Sequence, residues 1–195
     1  MKSIVNKLGF LLIVSMASAA AAVAQPASPP ATVPSVDIKR YVGKWYEIAR
    51  YPNKFQKDCV GNTTATYSEK SDGKLVVLNE CVEKDGTQKS AKGEAKIVDR
   101  STNAKLKVRF APSFISFLPQ VWGDYWVLEL DPEYQNVVIG DPKREYLWIL
   151  SRKPEMDDAT YQGLLRKAEA KGFVPARVER TPQNMSLLKG GVIEK

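Results

Sequence analysis

Residues 43–52 read GKWYEIARYP. At the two-residue period of a strand, Trp45, Glu47 and Ala49 fall on one face and Tyr46, Ile48 and Arg50 on the other. Neither face is cleanly apolar. One side of this strand carries both a tryptophan and a carboxylate, and the rest of the chain has to say what encloses them.

From residue 37 onward the pattern is one of short strands separated by turn signals. Strands are expected at 43–51, 61–69, 75–81, 93–98, 104–110, 125–130, 137–140 and 146–152. The turns between them include SDGK, EKDGTQ, DRSTN, DPEYQN and DPKRE. The clearest alternation sets Leu106, Val108 and Phe110 against Lys105, Lys107 and Arg109, one side dry and one wet. Tyr146, Trp148, Leu150 and Arg152 share another face. The period then becomes helical. Asp157 or Asp158 is a candidate N-cap for a helix running to about residue 171, with Leu164, Leu165 and Ala168 as its stripe and Gly172 as its stop. FVPARVER (173–180) reads as a last strand, and 183–195 as a flexible tail. An all-β fold with one outer helix follows. Eight strands closed up-and-down leave room for one small apolar ligand; a sandwich fits the periodicity nearly as well.

The chain has 195 residues, 44% hydrophobic and 26% charged, which suits one folded domain. It contains no histidine. That removes Ser-His-Asp and Cys-His nucleophiles and His-ligated zinc or haem, leaving only Ser-Lys or carboxylate chemistry open. No metal, cofactor or catalytic residue is expected. The formal net charge of +7 is spread without a long Lys/Arg run, so nucleic acid is not an expected partner, whereas weak attraction to anionic membranes is. Lys2 and Lys7 precede an apolar run at 8–22 that ends in Ala22-Val23-Ala24. Residues 1–24 are therefore read as an export signal, cleaved before Gln25, which lowers the charge by two to +5; a retained anchor is the alternative. No cysteine directly follows the run, so the usual lipoprotein attachment residue is missing. Pro-rich residues 25–36 are expected to be an extended tether. An exported, periplasmic protein is expected, with outer-membrane association open. Cys59 and Cys81 form an even pair and are expected to be bridged, two free buried thiols being the alternative.

Three motifs carry a family resemblance. GKW at 43–45 resembles the G-x-W signature of the lipocalins. LDPEY at 130–134 resembles their second signature, an Asp-Tyr turn, but Pro132 and Glu133 stand between its acid and its aromatic. YLWILSR at 146–152 ends on the arginine of the third. The longer strings GKWYEIARYP and YLWILSRKP are similar to the bacterial lipocalin and apolipoprotein D branch of that family, and the likeness spans 37–182. It implies an eight-stranded antiparallel up-and-down β-barrel, closed at one end, with the helix packed outside. It also implies that Gly43, Trp45, Asp131 and Arg152 close the barrel, Arg152 lying across the Trp45 ring in a cation–π contact of ~1–2 kcal/mol.

The resemblance further implies a cavity wall of Leu106, Val108, Phe110, Tyr146 and Trp148, joined by Tyr125 or Trp126, since that strand's phase is ambiguous. Ala95 and Ile97 leave room, and Glu47 either orients a polar head group or is a satisfied buried acid. Ordinary core filling is the plain alternative for each wall residue. Cys59 and Cys81 reach the open rim. The loop APSFISFLPQVWG (111–123) there is a ligand lid, a membrane or dimer contact, or a plug. The expected function is non-enzymatic binding, storage or transport of fatty acids or lysophospholipids by a monomer or weak dimer in the bacterial cell envelope. A cavity enzyme of isomerase or epoxide type, or a filled structural barrel, are the alternatives.

Overall fold

The computed structural model describes residues 28–183. The expected export signal, the first residues of the Pro-rich tether and the tail from residue 184 lie outside the described residues. Among those described, a one-turn helix α1 (Ile38–Tyr41) precedes strands β1 (Gly43–Arg50), β2 (Cys59–Glu69), β3 (Leu75–Glu83), β4 (Gln88–Ile97), β5 (Lys105–Arg109), β6 (Gly123–Leu130), β7 (Asn136–Gly140) and β8 (Leu147–Ser151). Helix α2 (Asp158–Ala170) and a two-residue strand β9 (Glu179–Arg180) follow.

Each of the first seven strands pairs antiparallel with the next, β8 pairs back with β1, and β9 adds to β1 at Ala49 and Arg50. The pairing of Gly43 with Tyr67 through Tyr46 with Thr64 closes the sheet on itself. That contact decides for a barrel over a sandwich, and it removes the exposed edges an open sheet would have. The expected strands form with shifted ends. The polar run QKSAK becomes the start of β4 because its ladder with β3 continues from Leu75–Ala95 to Val82–Gln88. The last strand shrinks to two residues, because Pro175 opens a 3-10 turn (Pro175–Arg177). Helix α1, capped by Asp37, had no clear periodic signal.

Apolar side chains divide between two clusters. The inner one fills the barrel floor with Tyr41, Trp45, Tyr67, Leu75, Leu106, Val127 and Leu150. The outer one seats the Tyr161–Leu164–Leu165–Ala168 stripe of α2 on Ile48, Leu128, Val138 and Ile149. Two irregularities build this seat. Between Glu47 and Ala49 the β1–β8 register slips, so that Ala49 faces Ile149 and Arg50 faces Trp148. Ala49 thus joins Ile48 outside and Arg50 turns inward, which corrects the strict period-two reading. A similar slip between Val127 and Glu129 leaves Glu129 outward beside Leu128, where it pairs with Lys167 and Lys171.

The floor is organised by Arg152. Its guanidinium carbon lies 3.8 Å from the centroid of the Trp45 ring. Its Nη2 donates to the carbonyls of Arg40, Tyr41 and Val42 at 2.8–3.0 Å, its Nη1 to Lys44 O and its Nε to Tyr134 O. Gly43 (φ 100°) sits so near that an added Cβ would lie 3.2 Å from Arg152 Nη1. Asp131 accepts from the amides of Glu133, Gln135 and Asn136, so the two extra residues of the β6–β7 turn are absorbed inside one cap. Tyr134 then reaches back, its hydroxyl accepting from Asp37 N and its ring lying under Arg40. We predict that Arg152→Ala costs about 3–5 kcal/mol, because floor carbonyls lose a charged donor. Arg152→Lys should recover less than half of that loss, since an ammonium cannot span donors in several directions. Urea unfolding of the two variants checks both values.

Candidate functional site

The loops after β1, β3, β5 and β7 share the end of the barrel opposite Arg152. Between floor and mouth, three tyrosines meet on the axis. Tyr125 exchanges hydroxyl hydrogen bonds with Tyr41 at 2.7 Å and Tyr67 at 2.8 Å. Tyr125 pairs with Leu106 and faces inward, while Trp126 pairs with Lys105, faces outward and packs against the outer cluster. The open choice between them is thereby settled, and Trp126 is not on the inner wall. Its aromatic ring carries the Lys105 ammonium at 4.6 Å instead. Burial, first of all, raises the Tyr67 phenol to about 12 and the Tyr41 and Tyr125 phenols well above their ordinary value.

Above this hub the inner wall opens. Leu106 is buried deep, whereas Val108 and Trp148 are only partly buried. An inward-facing residue that keeps exposed surface has to border an accessible interior. Phe110 stands higher and is 43% exposed. It fits there because residue 93 is glycine: a Cβ would come within 2.7 Å of the Phe110 ring. Tyr146 stacks on Trp148 at 5.8 Å and touches Phe55 at 5.7 Å. These rings make an aromatic collar. Ala95 lies in the inner cluster, with Ile97 packed against it.

Glu47 is only 3% exposed. Its Oε1 accepts from Arg50 Nη1 at 2.9 Å and Thr181 Oγ1 at 2.6 Å, and its Oε2 from Gln56 Nε2 at 2.6 Å. Gln56 Oε1 in turn accepts from Trp148 Nε1 and Asn53 Nδ2, both at 2.9 Å. The carboxylate is thus a satisfied buried acid that pins the 51–58 loop to the wall. Thr181 arrives from the C-terminal segment, which fills the gap where β1 and β2 diverge: Thr181 N donates to Ile48 O, and Asn62 N to Pro182 O. Gln183 bridges the carbonyls of Glu47 and Thr63. Sequence reasoning missed Arg50, Gln56 and Thr181. Arg50 needed the register slip, and the other two carry no periodic signal.

Cys59 and Cys81 are bonded across β2 and β3, Cα to Cα 5.7 Å. The 110–122 loop does not plug the barrel. Its Trp122 lies on the outer wall, with Lys96 at 4.1 Å and Arg109 at 5.2 Å from the ring, while Phe114 and Phe117 are 78% and 76% exposed.

A closed eight-stranded calyx with a capped floor and an open aromatic mouth defines a class of single-cavity barrels. A Lipocalin-like domain matches residues 36–183, and the chain belongs to that family. It is 44% identical to temperature-induced lipocalin-1 of Arabidopsis thaliana over 78% of this chain and 82% of that one. It is 38% identical to the outer membrane lipoprotein Blc of Escherichia coli K12 over 84% and 91%, and 36% identical to mouse apolipoprotein D over 68% and 69%. Insecticyanin from Manduca sexta has the same fold, with a TM-score of 0.61 at 19% identity over 80% of this chain and 84% of that one. Lipocalins generally bind or transport small hydrophobic ligands.

Two outcomes follow. Glu47→Ala leaves Arg50 as a buried charge without its carboxylate and should cost about 3–5 kcal/mol, whereas Glu47→Gln keeps the shape and should cost less; denaturation midpoints decide. The tyrosine hub holds its protons more tightly folded than unfolded, so its stabilisation is complete below pH ~10 and is lost as pH rises toward 12. Absorbance at the phenolate band should show exposed tyrosines ionising first and the hub only at higher pH or with unfolding.

Proposed function

We propose that the protein is a non-enzymatic carrier of one fatty acid or lysophospholipid, held in the upper half of the barrel. The supporting observation is the change of the inner wall from packed apolar floor to a partly exposed ring of Val108, Trp148, Tyr146 and Phe110 beside the polar group around Glu47. Leu106 and Tyr125 form the bottom of that site. A chain burying about ten methylenes gains roughly 8 kcal/mol before the costs of association, so micromolar binding needs a longer buried chain or head-group contacts as well. Catalysis is not part of the reading. Both Glu47 oxygens are occupied by neutral or cationic donors, and both cysteines are in the disulfide.

The same reading covers location: export by the signal at 1–24, residence in the bacterial envelope as a monomer or weak dimer, and peripheral contact with a membrane. Phe55, Phe114 and Phe117 stand exposed at the mouth. Residues 28–36 lie along the barrel as a strap. Val36 N bonds Thr102 O in a floor turn, Val33 N bonds Val127 O, and Ser28 O accepts from Arg144 in a mouth loop. A tether leaving at residue 28 therefore starts beside the mouth, which suits a barrel held mouth-first toward a membrane. The similarity to outer membrane lipoprotein Blc supports this location.

Long-chain fatty acids or lysophospholipids should quench Trp148 fluorescence with micromolar or better affinity. Trp148→Phe should lose most of that signal. A folded protein that binds no member of a lipid panel overturns the proposal.

A further inference from the structure

The disulfide at the rim fastens one short stretch of chain. The β2–β3 ladder runs without interruption from Leu75–Glu69 to Glu80–Thr64, then slips twice, between Thr64 and Gly61 and between Gly61 and Cys59. On its other side β2 leaves β1 above the Tyr46–Thr64 pair. Residues 59–63 are therefore held by a broken ladder, by hydrogen bonds from Asn62 N to Pro182 O and from Gln183 to Thr63 O, and by the bond between Cys59 and Cys81. We propose that this disulfide is a redox switch for the mouth: reduction by a dithiol releases residues 59–63 and loosens the grip on a bound amphiphile. The inference rests on the calyx reading above.

Its position confines the switch to the rim. The hairpin it crosses keeps its regular ladder when the bond is broken, and the Arg152–Trp45 floor lies at the opposite end of the barrel. Opening is then local, in the least regularly paired part of β2. The path to the cavity is short. Cys59 N donates to Gln56 O at 3.1 Å, and Cys59 O accepts from Arg50 Nη2 at 3.4 Å. Arg50 and Gln56 both hold Glu47, and Gln56 also holds Trp148. Cys59 is thus tied through two residues to the wall that a ligand touches.

The two sulfurs differ in access, because Cys59 is part-exposed and Cys81 only 4% exposed. A thiolate of the dithiol attacks Cys59 Sγ, the S–S bond breaks, and Cys81 leaves as a thiolate that takes a proton. The second sulfur of the dithiol attacks the mixed disulfide and frees Cys59, which is protonated in turn. The dithiol ends as a disulfide, and two electrons and two protons have passed to the cysteine pair.

The test titrates oleate into the full chain, oxidised and then reduced with dithiothreitol, and follows Trp148 fluorescence and hydrogen exchange. The reduced protein should bind oleate about tenfold more weakly, and reoxidation should restore the affinity. Exchange should rise at 51–63 and stay unchanged in the floor strands. Cys59→Ser/Cys81→Ser should bind like the reduced protein; where that variant does not fold, the dithiol-treated native chain decides. Equal affinity and equal rim exchange in both redox states overturn the switch and leave the calyx reading standing. Exchange that rises at the floor as well overturns it too, since the bond would then hold the whole fold. If the oxidised protein binds no oleate or other lipid, the calyx reading falls, and unchanged rim exchange on reduction still overturns the switch by itself.

Discussion

The stacking of Arg152 on Trp45 is the contact on which the rest of the barrel depends. A guanidinium is one of few groups that can cover an indole face and still donate in several directions. Here it collects carbonyls from α1, from the start of β1 and from the β6–β7 turn, and it does so from the residue that follows β8. Segments far apart in sequence thus meet at one charge. Those of its carbonyl partners that are part-buried, on Tyr41, Val42 and Tyr134, would carry a desolvation cost without that donor. With the floor sealed, the inner wall can afford to stay incompletely packed toward the mouth.

Above the floor, the barrel manages a polar problem. Glu47 belongs by position to the inner wall of an apolar cup. A lone carboxylate there would be expensive, and the structure answers with Arg50, Gln56 and Thr181 drawn from β1, a loop and the C-terminal segment. The slip in β1 serves both faces at once. It brings Arg50 in beside Glu47 and moves Ala49 out beneath α2. The result links the mouth loop, the aromatic collar and the lateral seam through one carboxylate, so a ligand that disturbs Gln56 is felt at Trp148.

Much of this was legible from residues alone. The alternation through Leu106 and Val108, the helix capped by Asp157 or Asp158, and the pairing of Cys59 with Cys81 all follow from local pattern or composition, and each appears in the structure, with Asp157 as the cap. The Pro-rich segment read only as an extended tether. That residues 28–36 lie against the wall could not be read, because carbonyl contacts to Arg144 and Lys171 leave no trace in composition. The phase of β6 was ambiguous for a similar reason: both Tyr125 and Trp126 tolerate burial, and only the ladder with β5 says which one faces the axis.

The sequence by itself determined the eight strands, the outer helix and the order of the three motifs, because periodicity and capping are short-range and act within a few residues. It could not choose barrel over sandwich; the pairing of β1 with β2 did that, across about 20 residues of intervening chain. It also put Ala49 inside and left Arg50, Gln56 and Thr181 unremarked. Register slips and polar networks arise from which strands and loops become neighbours. That is a property of closure, and no window of sequence contains it.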